Sequence, residues 1–217
     1  MLDIFPSNSI FCPISVGNPF FSRRNIQALF SWAKKNDAHL SIVIFDSLRV
    51  LTNLIQGREL DKSEALARTA SKETARMIEK ISHRDEVDVT IKFSSELLLD
   101  TEVLLTKERI RKWSIGNDAA FQKIQEISDR TFQRLGLNNN QKNKIIQFEY
   151  LVEESAIALC MVEKSEIEFE LYPRNEDGLI DFLFRSDGKG FLQRSKLLGG
   201  RKFKTWQTAG IEYADNN

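Results

Sequence analysis

The chain has 217 residues, 41% of them hydrophobic and 29% charged, and its 31 Lys plus Arg are balanced by 31 Asp plus Glu. Such values suit a globular protein of one domain over residues 1–217 and exclude a collagen-like, disordered or disulfide-stapled chain. Two cysteines, Cys12 and Cys160, a start without a basic, apolar leader pattern and the lack of any run of about 18 apolar residues point to a cytoplasmic protein outside the membrane.

Short Ile/Val-rich runs alternate with amphipathic stretches. Residues 9–15 (SIFCPIS) and 40–46 (LSIVIFD) read as buried strands. Between them Ile26, Leu29, Phe30 and Ala33 recur at helical spacing, with Pro19 or Ser22 as the opening and Asn36-Asp37 as the close. A helix is expected over 47–56, ending at Gly57, and a longer one from Asp61 to about Ser82. Residues 87–93 (VDVTIKF) alternate like a strand with one solvated side. Helical sequence then continues to Cys160, broken at Gly116-Asn117 and around Gly136. Residues 166–172 (EIEFELY) form a further strand stopped by Pro173, followed by a short helix near 179–184, a Gly- and Lys-rich segment and a polar end. Strands alternating with helices imply an α/β fold, a mostly parallel sheet covered on both faces.

Four constellations carry chemistry. In Ile14-Ser15-Val16-Gly17-Asn18-Pro19 a serine stands where the first strand ends and its helix begins, the place where parallel sheets collect ligands. A serine there can attack a carbonyl while backbone N–H groups receive the oxyanion; the bland alternative is a polar turn. Pro13-Ile14-Ser15-Val16-Gly17 also looks like a damaged nucleophile elbow, but the only histidines are His39 and His83, so a triad with a late histidine does not fit. Neither dinucleotide nor P-loop glycine motifs occur. In the second constellation Tyr150 and Glu154 share one helix face within an apolar stretch, where a carboxylate needs a cationic partner unless it turns to water. The third is Tyr172-Pro173 at the end of the late strand. The fourth is the stripe Arg68, Lys72, Arg76 and Lys80, spaced by four on one helix, which is either a polyanion surface or a solvated face. A further basic run lies between Lys189 and Lys204.

Together these segments resemble the tRNA-dependent cyclodipeptide synthases. Residues 14–22 (ISVGNPFFS) are similar to that family's nucleophile segment I-S-x-G-N-S-Y-F-S, Tyr150 to Glu154 to its Y-x-x-x-E helix, and Tyr172-Pro173 to the third signature of its Tyr-Pro subfamily. Pro13 replaces a glycine usual in the family, Ala156 replaces a common proline, and Asn18 is typical of the other, Tyr-His, subfamily. The resemblance implies a Rossmann-like sheet like that of the class I tyrosyl- and tryptophanyl-tRNA synthetases. Because the H-I-G-H and K-M-S-K-S signatures are absent, it implies no ATP and no metal cofactor, and two aminoacyl-tRNAs as substrates for a monomeric enzyme. The implied product is a cyclic dipeptide, made by a ping-pong route through an aminoacyl-Ser15 and then a dipeptidyl-Ser15 enzyme. In that scheme Tyr150 and Glu154 grip the α-ammonium, Tyr172 positions the chain or relays a proton, and Asn18 with Gly17 shapes the nucleophile loop. Pro13, Ile157 and Pro173 are expected at the substrate pockets, and Arg68, Lys72, Arg76 and Lys80 on the tRNA. A serine acyltransferase or esterase on small acyl esters and a non-catalytic tRNA-binding module are the competing readings.

Overall fold

The computed structural model describes residues 9–164, 169–173 and 203–213. Five parallel strands form one sheet: β1 (Ile10–Ser15), β2 (Leu40–Phe45), β3 (Val89–Phe93), β4 (Phe169–Tyr172) and β5 (Phe203–Thr205), in the spatial order β3-β2-β1-β4-β5. Seven described helices accompany them: α1 (Arg23–Lys35), α2 (Asp46–Ile55), α3 (Leu60–Asp85), α4 (Ser94–Leu97), α5 (Thr101–Ile115), α6 (Asp118–Leu135) and α7 (Gln141–Lys164). The expected α/β fold, a parallel sheet with helices on both faces, is what forms.

The alternation of β1 and β2 explains the layering. Ile10, Cys12, Ile14, Leu40, Ile42 and Ile44 point to one face, where Ile26, Leu29, Phe30 and Ala33 of α1 and Ala75, Ile78 and Ile81 of α3 cover them. Phe11, Val43 and Phe45 point to the other, beneath Leu48 of α2, Val103 of α5 and Ile157, Ala158, Cys160 and Met161 of α7. A second layer, built from Ile110, Ile124, Ile127, Leu151, Val152, Ala156 and Leu159, joins α5, α6 and α7. With both faces buried, β2 carries six buried residues in succession, the near-continuous apolar pattern of a central parallel strand.

Element limits depart from the sequence reading in instructive ways. The helix expected to stop near Ser82 continues to Asp85, where Glu86 takes a left-handed φ of 54° and ends it. All five residues of β3 are half-buried instead of alternating, because β3 is the edge strand and has one neighbour. The tail is not simply polar: β5 extends the sheet, and Trp206 just after it is 1% exposed, its ring 4.9 Å from that of Phe20. Trp32 of α1 locks this segment by donating from Nε1 to the Ala209 carbonyl at 2.8 Å. The short helix expected near 179–184 and most of the basic run from Lys189 lie outside the described residues.

Strand order sets the site. From β1 the chain proceeds to β2 on one side, whereas β4 lies on the other, so the crevice at the carboxyl ends of β1 and β4 is a topological switch point. Pro13 accentuates it. Lacking an N–H, it cannot donate to a ladder; β1 pairs with β4 only at Ile10 and Phe11, while its pairing with β2 runs on to Ser15.

Candidate active site

Ser15 is the last residue of β1 and is half-buried. The chain then turns back on itself, Asn18 N donating to the Ser15 carbonyl at 3.2 Å, with Gly17 at φ 78° in the third position, the left-handed value a type II turn requires. The Asn18 side chain accepts from Phe20 N–H at 3.0 Å and so caps the short 3-10 turn Pro19–Phe21, in which the ring of Pro19 suits a first helical position. Asn25 Nδ2, fully buried in α1, donates to the Phe20 carbonyl at 2.8 Å and ties the turn to the core. The loop after Ser15 is thus held from both ends.

A cavity of about 720 Å³ opens in front of Ser15. One wall is the stripe Gln147, Tyr150, Leu151 and Glu154 of α7, whose spacing of three, one and three residues is a single helical face. The loop side contributes Gly17 and Asn18, β4 contributes Tyr172, and α2 contributes Arg49, Thr52 and Ile55. The far wall comes from α6, with Ile127, Arg130, Thr131, Phe132 and Arg134. Glu154 is half-buried on this surface. Its neighbour Glu153 belongs to a different environment: it is 6% exposed, faces α5, and receives Lys107 Nζ at 2.8 Å. Beside it Arg111 donates to Glu149 and Glu108, and its hydrogen bond to the Glu149 carboxylate raises the Arg111 pKa.

Of the residues singled out from sequence, Ser15, Gly17, Asn18, Tyr150, Glu154 and Tyr172 therefore meet at one cavity. Three others lie off its wall. Pro13 is buried inside β1, and Pro173 is buried just beyond β4. Ile157 is fully buried among Phe11, Val43 and Phe45, because α7 has by then passed beneath the sheet. The stripe Arg68, Lys72, Arg76 and Lys80 is exposed along α3, away from the cavity wall.

Other residues escaped the sequence reading. Arg49 lines the cavity next to the serine loop, and a Cβ on Gly17 would sit only 3.0 Å from its Cζ. Gln147, 5% exposed, presents its side chain to the cavity from α7. The helical stripe through Tyr150 and Glu154 was the available signal for Gln147; for Arg49, on an ordinary amphipathic helix, there was none. Neither histidine lines the cavity. His39 lies before β2 at the opposite end of the sheet, its Nδ1 2.8 Å from Asp88 and its Nε2 3.1 Å from Thr90 Oγ1. Among the described residues no cluster of His, Cys, Asp and Glu suits a metal ion, and no helix is long and apolar enough to cross a membrane.

No protein-family model matches the sequence, and no curated protein sequence matches it. Solved structures do match in shape. A cyclodipeptide synthase from Fluoribacter dumoffii superposes with a TM-score of 0.71 at 18% identity, over 80% of this chain and 79% of that one. One from Streptomyces noursei gives 0.66 at 19% identity, over 92% and 95%. A Mycobacterium tuberculosis protein, whose structure relates cyclodipeptide synthetases to type I tRNA synthetases, gives 0.67 at 13% identity, over 91% and 84%. The fold of this chain is the one these cyclodipeptide synthases share.

Proposed function

We propose that the protein is a cyclodipeptide synthase that joins two aminoacyl groups taken from aminoacyl-tRNAs, and that its Tyr172-Pro173 pair aligns it with the Tyr-Pro subfamily. The observation that carries this reading is the convergence of Ser15, Tyr150, Glu154 and Tyr172, drawn from three distant parts of the sequence, on one cavity at the switch point of a fold shared with cyclodipeptide synthases.

Ser15 Oγ attacks the ester carbonyl of the first aminoacyl-tRNA. The Oγ–carbonyl bond forms, the bond to the ribose oxygen breaks, and the serine proton passes to that departing oxygen. Glu154 and Tyr150 receive the α-ammonium, a cation that suits a half-buried carboxylate. After losing a proton, the amine of aminoacyl-Ser15 attacks the ester of the second aminoacyl-tRNA. An amide forms and the second ribose hydroxyl leaves with a proton. The free amine of the dipeptide then closes on the Ser15 ester, returning the proton to Oγ and releasing the six-membered ring. In the two transfers from tRNA the departing oxygen belongs to a ribose with a neighbouring hydroxyl that can shuttle the proton, which suits a cavity lined by no imidazole. Tyr172, on the same cavity wall, is a second phenol able to hold or move a proton. The exposed cations of α3 offer the tRNA stem a row of phosphate contacts.

The test is to incubate the purified protein with a pool of charged tRNAs and to read products and protein mass by mass spectrometry. Diketopiperazines that disappear with RNase, together with an aminoacyl adduct on Ser15, are the expected result. Free amino acids alone would indicate an esterase, and intact charged tRNA would indicate a binding role.

A further inference from the structure

The charged side chains on the described cavity wall are Glu154 and three arginines, Arg49, Arg130 and Arg134. Arg49 differs from an ordinary surface cation in three respects. Its guanidinium is packed on Gly17: a Cβ there would lie 3.0 Å from Cζ, 3.1 Å from Nη1 and 3.2 Å from Nη2. Because Cζ is the nearest of the three, the planar group turns its face to the glycine. Its N–H edges are left for the cavity. Second, among the described residues no carboxylate pairs with it, and its charged neighbour is another cation, Arg58. Burial and the repulsion of Arg58 lower the Arg49 pKa. Third, Arg58 is itself anchored: its Nη1 donates to Asn53 Oδ1 at 2.5 Å, and Asn53, fully buried, donates onward to the Ser63 carbonyl at 3.3 Å. Two cations side by side, Arg49 half-buried and Arg58 exposed, with no carboxylate paired to either among the described residues, repel each other and favour an anion from outside.

Building on the reading above, we propose that Arg49, backed by Arg58, binds the phosphodiester on the 5′ side of the terminal adenosine of the acyl donor. The cavity then carries complementary charges for the two ends of one substrate, with Glu154 for the α-ammonium and Arg49 for the nucleotide phosphate. The chain path supports it. Arg58 leads directly into α3 at Leu60, and the 26 residues of α3 extend about 39 Å away from the strand ends with Arg68, Lys72, Arg76 and Lys80 exposed along them. Arg49 and Arg58 extend that row of cations to the cavity mouth, where a single-stranded acceptor end would enter.

The test uses the full chain and uncharged probes, so it does not depend on catalysis. Binding of the trinucleotide CCA, of adenosine and of inorganic phosphate is measured by calorimetry at several salt concentrations. Arg49→Gln is expected to weaken CCA about tenfold and to flatten the salt dependence of its binding, with adenosine unaffected. Arg49→Lys should restore that dependence but only part of the affinity, since a lysine cannot lie flat on Gly17. Arg58→Gln, outside the cavity wall, should give a smaller loss of the same kind. Unchanged CCA binding in Arg49→Gln, or equal losses for CCA and adenosine, would overturn the assignment. Inorganic phosphate binding as tightly as CCA would mark a free-anion site and overturn it too. If CCA binding behaves as expected while charged tRNA never acylates Ser15, the enzymatic reading fails and the phosphate site stands.

Discussion

β1 and β2 lie side by side in register, Ser15 opposite Phe45, yet their carboxyl ends are built for different purposes. β2 passes straight into α2, and the first helical residue, Asp46, is saturated. Its Oδ1 accepts from Ser47 N at 3.0 Å, Ser94 Oγ at 2.8 Å and Ser95 N at 2.9 Å, and its Oδ2 accepts from Ser95 Oγ at 2.5 Å. That carboxylate fastens the end of β2 to the turn after β3. β1 instead ends in a glycine turn whose backbone is fixed by Asn18 and Asn25 while the Ser15 side chain borders a cavity. Two polar residues at neighbouring strand ends, one position apart in register, thus differ in what surrounds them: Asp46 is enclosed in a hydrogen-bond network, and Ser15 borders open volume.

Five experiments break or sharpen that contrast. Ser15→Ala has the largest expected effect, complete loss of the acyl-enzyme mass adduct and of diketopiperazine; an adduct that persists would move the nucleophile elsewhere. Glu154→Gln keeps the shape but removes the charge opposite the α-ammonium, and kcat/KM for product formation should fall about a hundredfold, the scale of a lost charge-assisted contact. Glu153→Gln is the companion control: it removes the closer of the two carboxylates that Lys107 faces, leaving Glu149 at 3.8 Å, so it should lower the melting temperature while leaving more activity than Glu154→Gln. Reversing charge at Arg76 and Lys80 together should weaken charged-tRNA binding about tenfold or more and flatten its salt dependence, with aminoacyl-nucleotide substrates little affected. Asp46→Ala has the smallest expected effect on chemistry. It should cost about 1–3 kcal/mol of stability, read from denaturant midpoints, because several buried or half-buried donors lose their acceptor.

The helix α7 makes the same point within a single element. Glu153 and Glu154 are adjacent, and nothing in their identity tells one from the other. Periodicity puts Tyr150 and Glu154 on one face, and that was readable; which object each face meets was not. The structure sends Glu153 to Lys107 of α5 and Glu154 to the cavity. Ile157 shows the limit from the other side. A residue three positions beyond Glu154 seems near the site on a helical wheel, yet the advance of the helix carries it under Phe11 and Val43.

Local sequence determined the strands β1 and β2, the principal helix breaks at Gly57, Gly116 and Gly136, the turn at Gly17 and the three motif segments, since each depends on backbone preferences and on spacing within a few residues. Tertiary structure decided what pairs across the chain: the fifth strand and the buried Trp206, the splitting of Glu153 from Glu154, the withdrawal of Ile157 and Pro13 from the cavity wall, and the placing of Arg49 against Gly17. Those outcomes depend on which surfaces exclude water from each other. A residue's type and spacing describe what it can bond to, and only the packed fold determines which partner stands within reach.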